Sequence, residues 1–597
     1  MFNSSKYFSL VVFTRVFLYM VLGGINLACS LSYQETEISL DDYKIEYGFQ
    51  LDLVAAEPLL VAPVAMSFDD TGRIWVAEMP SYMSNLEGKG EEKLTGKIKI
   101  LQDLDDDGIM DHAKVFLDSL YLPRALAHVY GGLLYAEPPY LYFVDIDNDT
   151  PGNRVVVDSL YAPEGNPEHQ PNGLLLNVDN WIYNAKSNFR YRKKNGIWIK
   201  EPTTFRGQWG ISNDNFGRLY YNNNSTQLIG DYVVPNLMTR NEYLTPTQAV
   251  NKKLTENQRV YPLQPTLVNR GYVDGVLDAD SLLVNVTASC SPLVYRGGTF
   301  PLNYNHNVFV CVPEANLIKR NILSFHGDST SARQAWEGKE FLTSLDEGFR
   351  PVSLTNAPDG SMYIVDMHRG IIQHRAYASP YYKKKAIASQ IDTLMNYGRI
   401  LRVTASDAKT RPLKTQLQKE QLLKSLNDPN GWIRDRAQQK LIQAHVPEHV
   451  PLLKSLVMDD QKTFAQLHAL YVLEGTGQLS FEFLEKVATN ENADVVVHAL
   501  HLMERFVTKE NSEKAMQLFT KLRRRNDDAI NLYVTSTLGI WAKLDQRRFL
   551  PIIKQFLKNN ENNRVLQEAL LSGISGQEEE LLAYLGEEGL SGYDFLK

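Results

Sequence analysis

Cysteine is nearly absent, three in 597 residues. That count excludes a disulfide scaffold, and the Cys-x-x-Cys-His run that attaches a c-type haem does not occur. Also missing are a glycine-rich phosphate or dinucleotide loop joining a strand to a helix, a Gly-x-Ser-x-Gly elbow and a His-Glu-x-x-His zinc helix. Nicotinamide, serine-hydrolase and zincin chemistries fall with them. Basic residues are not in excess, with 62 Lys and Arg against 70 Asp and Glu and a net charge of −8. The cations are scattered rather than striped, which argues against nucleic acid as a partner. The apolar run Val16 to Ile25 is too short for a spanning helix, which needs roughly 20 residues.

That run does have a place. Lys6 and Arg15 precede it and Leu27-Ala28-Cys29-Ser30 follow, which is the basic, apolar, small order of an export signal. Residues 1–29 are read as an export segment of the lipoprotein kind, with Asn26 as the departure from its usual pattern. The mature chain is then periplasmic or at the cell surface, lipid-anchored at Cys29. Residues 30–44 are read as a linker.

Over the next 360 residues one pattern recurs: an acidic or Asn-rich turn with Gly or Asn, then alternating apolar and aromatic residues. It is found at Asp69 to Ala77, Asp179 to Tyr183, Asp214 to Tyr220 and Pro358 to Val365, with degenerate copies at Gly131 to Ala136 and Asn307 to Val310. Asp-Gly and its relatives supply the positive φ of a tight hairpin, and the alternation suits a half-buried strand. Repetition around an axis leaves only short edges, so the pattern predicts a six-bladed β-propeller over 45–403. Cys290 and Cys311 fall on neighbouring strands of it, close enough either to pair or to sit as two buried thiols. After a polar joint at 404–415, apolar stripes at helical spacing recur every 30 to 36 residues, around Trp432, Leu467, Leu500, Leu538 and Leu570. That is the period of a two-helix repeat, so 416–597 is read as an α-solenoid of HEAT-like repeats that could dock a protein partner.

Three constellations could carry chemistry. Asp103, Asp105, Asp107 and Asp111 surround Gly108 at the ligand spacing of a calcium loop, although Lys114 stands where an EF-hand has its bidentate Glu. His169, in Glu168-His169-Gln170-Pro171-Asn172-Gly173, precedes a predicted inner strand, where a histidine would face the propeller funnel and suit proton abstraction from a hydroxyl. Arg124, Arg190, Arg206, Arg350 and Arg369 occupy comparable blade positions and would, if they converged, hold a polyanionic cofactor.

The blocks Ala136 to Phe143, Pro171 to Leu174, Tyr295 to Pro301, Pro313 to Arg320 and Phe349 to Val352 resemble bacterial membrane-bound dehydrogenase propeller proteins, which often carry HEAT-like repeats. That family is in turn similar to the soluble quinoprotein glucose and sorbosone dehydrogenases. The resemblance implies a dehydrogenase of a sugar or polyol that uses pyrroloquinoline quinone and calcium, with His169 as the general base and the five arginines as candidates for the cofactor. Electrons would have to pass to a separate acceptor such as a cytochrome c. The Asp that follows the base by 19 residues in those enzymes is Asn188 here. The alternative is a non-catalytic exported protein whose funnel binds a glycan or peptide and whose repeats dock a partner.

Overall fold

The computed structural model describes residues 38–409, 411–414, 417–560 and 562–587. The export segment and Cys29 lie outside them, and no described helix is long and apolar enough to cross a membrane.

Six antiparallel sheets follow one another between Tyr43 and Ala405. Their first strands, Pro63–Phe68, Ala125–Val129, Asn172–Leu176, Ser212–Asn213, Cys290–Val294 and Pro351–Asn356, line a central channel. This is the expected six-bladed propeller. All six copies of the sequence pattern fall in the same place, at the turn between first and second strand of a blade and the second strand itself.

The turn acid explains the pattern. Asp179 accepts the Trp181 N–H at 3.2 Å and the Tyr183 hydroxyl at 2.7 Å. Asp359 does the same for Ser361 N and Tyr363, and Asp69 bonds Thr71 N and the Trp75 indole. One carboxylate closes the hairpin and fixes the large ring that fills the space between blades.

Both ends of the propeller meet in one sheet. Phe49–Ala55 pairs with Arg399–Ala405, Phe49 opposite Ala405 and Leu53 opposite Leu401. Just before it, Tyr43–Ile45 joins the fifth blade through Leu342–Ser344, so pairing starts two residues earlier than the boundary expected from sequence.

From Leu422 the chain is helical. Gly431–Ala444, Thr463–Gly475, Ala493–Met503, Asp528–Ala542 and Arg564–Gly573 pack successively in one row, and His449–Val457, Phe481–Val487, Lys509–Arg523 and Gln546–Asn559 back them. This is a helical repeat region, and the recurring apolar stripes belong to the first row. Four of its five helices start on an Asn or Asp whose side chain accepts a first-turn N–H, which satisfies an otherwise orphaned donor.

The first row is turned to the propeller. Arg436 donates to the Phe68 and His128 carbonyls at 2.9 and 2.6 Å, Asp435 takes two bonds from Arg296, and Asn430 reaches the Ala357 carbonyl. Buried Glu474 accepts two bonds from Arg192, at 2.8 and 2.7 Å, and further bonds from Asn180 and Arg505. Val233, Leu237, Met238, Ala249 and Val250 of the fourth blade share one core with these helices. The propeller of the same chain thus covers the first-row face.

Candidate functional site

The two ends of the propeller differ. At one end the helix Gly431–Ala444 covers the channel, and its Trp432, Asp435, Arg436 and Gln439 join all six inner strands around an axial cavity of about 230 Å³. At the other end the long connections gather, among them 79–95, 159–171, 254–289 and 367–398. They enclose a funnel of two adjoining cavities of about 140 and 420 Å³, which share Glu168, Asn224, Thr287 and Gln373.

His169 lies on the wall of the larger cavity. It ends the short 3-10 turn Pro167–His169, started by Asn166, whose side chain accepts the Glu168 N–H at 3.1 Å. Asn172, three residues on, bonds the Gln208 carbonyl and the Gly210 N–H, stitching this segment to the next blade. The imidazole is half-buried, edge-on to Tyr377 with ring centroids 5.1 Å apart. Among the described residues its ring has no hydrogen-bond partner. Burial, helped by Lys186 and His374, holds its pKa below the usual 6.5, so the ring is neutral and able to accept a proton at neutral pH.

Among the described residues no carboxylate orients this ring. Glu168 accepts from the Tyr82 hydroxyl at 3.1 Å, from the Gln373 amide and from the His374 N–H, and its burial pushes its pKa up. Asn188, on a neighbouring loop, offers its backbone carbonyl to Thr203 N. Two other histidines do have acids: His374 pairs with Glu91 at 3.2 Å, and His368 with Asp366 at 3.0 Å. Both are buried, and neither is among the residues lining the two cavities.

The five arginines named from sequence do not converge on the funnel, and none is among the residues lining its cavities. Arg190 is held by Glu201 and the Tyr183 hydroxyl, and Arg206 by Asp231. Arg124, Arg350 and Arg369 are fully buried and donate to backbone carbonyls: Arg124 to Pro167, Arg350 to Pro313 and Arg369 to Met83. Burial lowers the pKa of Arg350, and brings Arg124 and Arg369 down to about 10. They brace the loops of the funnel from behind.

The acidic loop is at the opposite end. Ile74, next to the first-blade turn, pairs with Leu101, whereas Glu78 at the funnel end pairs with Lys97, so the hairpin carrying Asp103 lies on the helix-covered side. Asp103, Asp105 and Asp111 bring carboxylate oxygens within 4.8 Å of one another. Asp107, expected as a fourth ligand, is not in that group and accepts the Ile109 N–H at 2.7 Å. Gly108 has a φ of +91°, and a Cβ there would lie 2.9 Å from the Arg402 guanidinium, so only glycine fits. A cation bound here would tie down a hairpin and could not reach His169.

Several funnel residues escaped the sequence reading. Tyr82, Arg270, Tyr377 and Gln373 come from three connections far apart in the chain, and none sits in a repeated motif. Only the length of those connections could have pointed to them.

Solved structures similar to this chain include a glucose dehydrogenase (13% identity, TM-score 0.34, covering 60% of this chain and 100% of that one). A PQQ-bound aldose sugar dehydrogenase from Streptomyces coelicolor (10%, 0.31, 60% and 99%) and a luciferin-regenerating enzyme (9%, 0.34, 62% and 100%) are also similar. Comparison with curated proteins finds no match. Residues 35–407 match the family described as Domain of unknown function (DUF7133), and the chain belongs to that family.

Proposed function

We propose that the funnel holds a carbohydrate or polyol and that His169 takes a proton from one of its hydroxyls, the step that a dehydrogenase of such a substrate requires. One observation carries the reading: His169 is kept neutral, its ring has no hydrogen-bond partner among the described residues, and it lies on the wall of a cavity bordered by tyrosines and amides. Such a group is ready to act as a general base.

Oxidation also needs a hydride acceptor. Pyrroloquinoline quinone, which the sequence resemblance implies, is a polycarboxylate and calls for convergent cations. Arg190 and Arg206 are paired with acids, Arg124, Arg350 and Arg369 each donate to a backbone carbonyl, and none of the five lines the funnel cavities. The acidic loop lies at the far end of the blade. These residues do not fit the quinone.

A second reading, a binding protein without chemistry, is favoured by the missing acid partner of His169, since an imidazole that nothing orients is a weaker base. Calorimetric titration with a panel of aldoses and polyols tests the funnel, and dye reduction with each ligand, with and without added quinone, tests the chemistry. Saccharide binding with turnover that His169→Gln abolishes supports the enzyme. Saccharide binding that persists without any turnover assigns the second reading, and an intact protein that binds no member of the panel overturns the saccharide funnel.

A further inference from the structure

This inference rests on the funnel reading above and narrows its ligand. We propose that the ligand is an acidic saccharide, a sugar bearing a carboxylate or sulfate, whose anionic group is received by Arg270 while its ring lies against the tyrosines at the mouth.

Of the charged groups lining the larger cavity, the one without a partner among the described residues is a cation, Arg270. Two carboxylates line the larger cavity, Glu168 and Glu314, and both are engaged. Glu168 serves Tyr82, Gln373 and the His374 N–H. Glu314 takes the Asn269 N–H at 2.7 Å on one oxygen and the Thr287 hydroxyl on the other. Arg270 lines the same cavity, is exposed, and its guanidinium has no partner among the described residues. Lys186, half-buried, is close enough to His169 to lower its basicity. Both carboxylates already accept bonds from the protein, whereas the guanidinium donates none. A guanidinium fork matches a carboxylate or sulfate in shape and charge.

Arg270 is also well placed. Its neighbour Asn269 is clamped by the bond to Glu314, by its side chain to the Tyr377 carbonyl at 3.0 Å and from Ser379 N at 2.9 Å, and by its own carbonyl from the Ser379 hydroxyl at 2.7 Å. The backbone that carries the arginine is therefore fixed from two other connections. At the same mouth Tyr272 and Tyr377 are 60% and 45% exposed, broad faces of the kind on which a sugar ring stacks.

The test is calorimetric titration of the purified protein with glucuronate, galacturonate and glucose 6-sulfate against the parent glucose and galactose. The acidic sugars are expected to bind about tenfold tighter or better, the worth of a hydrogen bond to a charged group, with the advantage shrinking at about 0.5 M salt. Arg270→Gln should erase the advantage of the acidic sugars over their neutral parents. Because the side chain is exposed and unpartnered, an unaltered melting temperature controls for the fold. The two uronates and the sulfate distinguish which anion is preferred. Equal affinity for acidic and neutral sugars, or a preference that survives Arg270→Gln, overturns the inference and leaves the saccharide reading standing. No binding by any of the five overturns both.

Discussion

Glu474 ties the helices to the propeller through its paired bonds with Arg192, and the effect of removing it can be worked out. Its side chain is fully buried and the Arg192 guanidinium nearly so. Burial by itself would raise its pKa, but the two Arg192 bonds and the charge of Arg505 outweigh this and bring it from 4.5 down to about 2. At about 1.4 kcal/mol per tenfold, that fall is worth ~3 kcal/mol to the folded state. Because the folded pKa is the lower one, the stabilisation is complete above pH 4.5 and is lost as the pH falls from there towards 2. Glu474→Gln removes it and strands Arg192, so a cost of about 3–5 kcal/mol is expected. Urea unfolding followed by tryptophan fluorescence, on Glu474→Gln, Arg192→Met and the double variant, should show a coupling of about 1–3 kcal/mol, and the variants should lose less stability than wild type on acidification. Limited proteolysis should meanwhile release the helices first. Single-variant costs that add within about 0.5 kcal/mol, or an acid profile unchanged by the substitution, would refute the reasoning.

Three other outcomes are expected. His169→Gln should lower turnover of a converted substrate by about 10² to 10⁴; because burial and nearby cations hold the imidazole below 6.5, the acid limb of the wild-type profile should lie below pH 6.5 and move upward in Lys186→Met, and a limb at or above 6.5 counts against the assignment. Calcium should raise the melting temperature, Asp103→Ala with Asp105→Ala should abolish the rise, and chelation should leave saccharide binding untouched because the loop is remote from the funnel; indifference of melting to calcium and chelator ends the metal hypothesis. Cys290 and Cys311 are register partners across the first two strands of the fifth blade, both buried and unbridged, so peptide mapping should find both alkylated after denaturation without reductant and neither in the native protein, whereas a bridged peptide would contradict the structure.

The fold was legible because its signals are local. An acid at the turn, a glycine or asparagine beside it and a ring four to six residues on lie within one hairpin; four blades repeat all three, and the other two keep degenerate copies. The helical stripes were legible for the same reason. What the stripes could not disclose is what they face: Glu474 and Asp435 look like surface charges in sequence and become buried partners only because Arg192 and Arg296 come from distant blades. The candidate site was half legible. His169 announces itself by its neighbours, but the five arginines share only their position after or before a strand, and that position does not separate a side chain aimed into the funnel from one holding a loop from behind. Arg270, which does line the funnel, sits in a connection with no motif at all.

The helix Gly431–Ala444 across the lower end of the propeller turns its axis into a cul-de-sac. Whatever enters the funnel must leave by the same mouth, so a spent molecule blocks the next arrival and its departure competes with every new encounter. A polymer cannot be threaded through such a well; only a chain end or a detached unit can reach the bottom. A well of this shape is suited to chain ends or single units, taken one at a time.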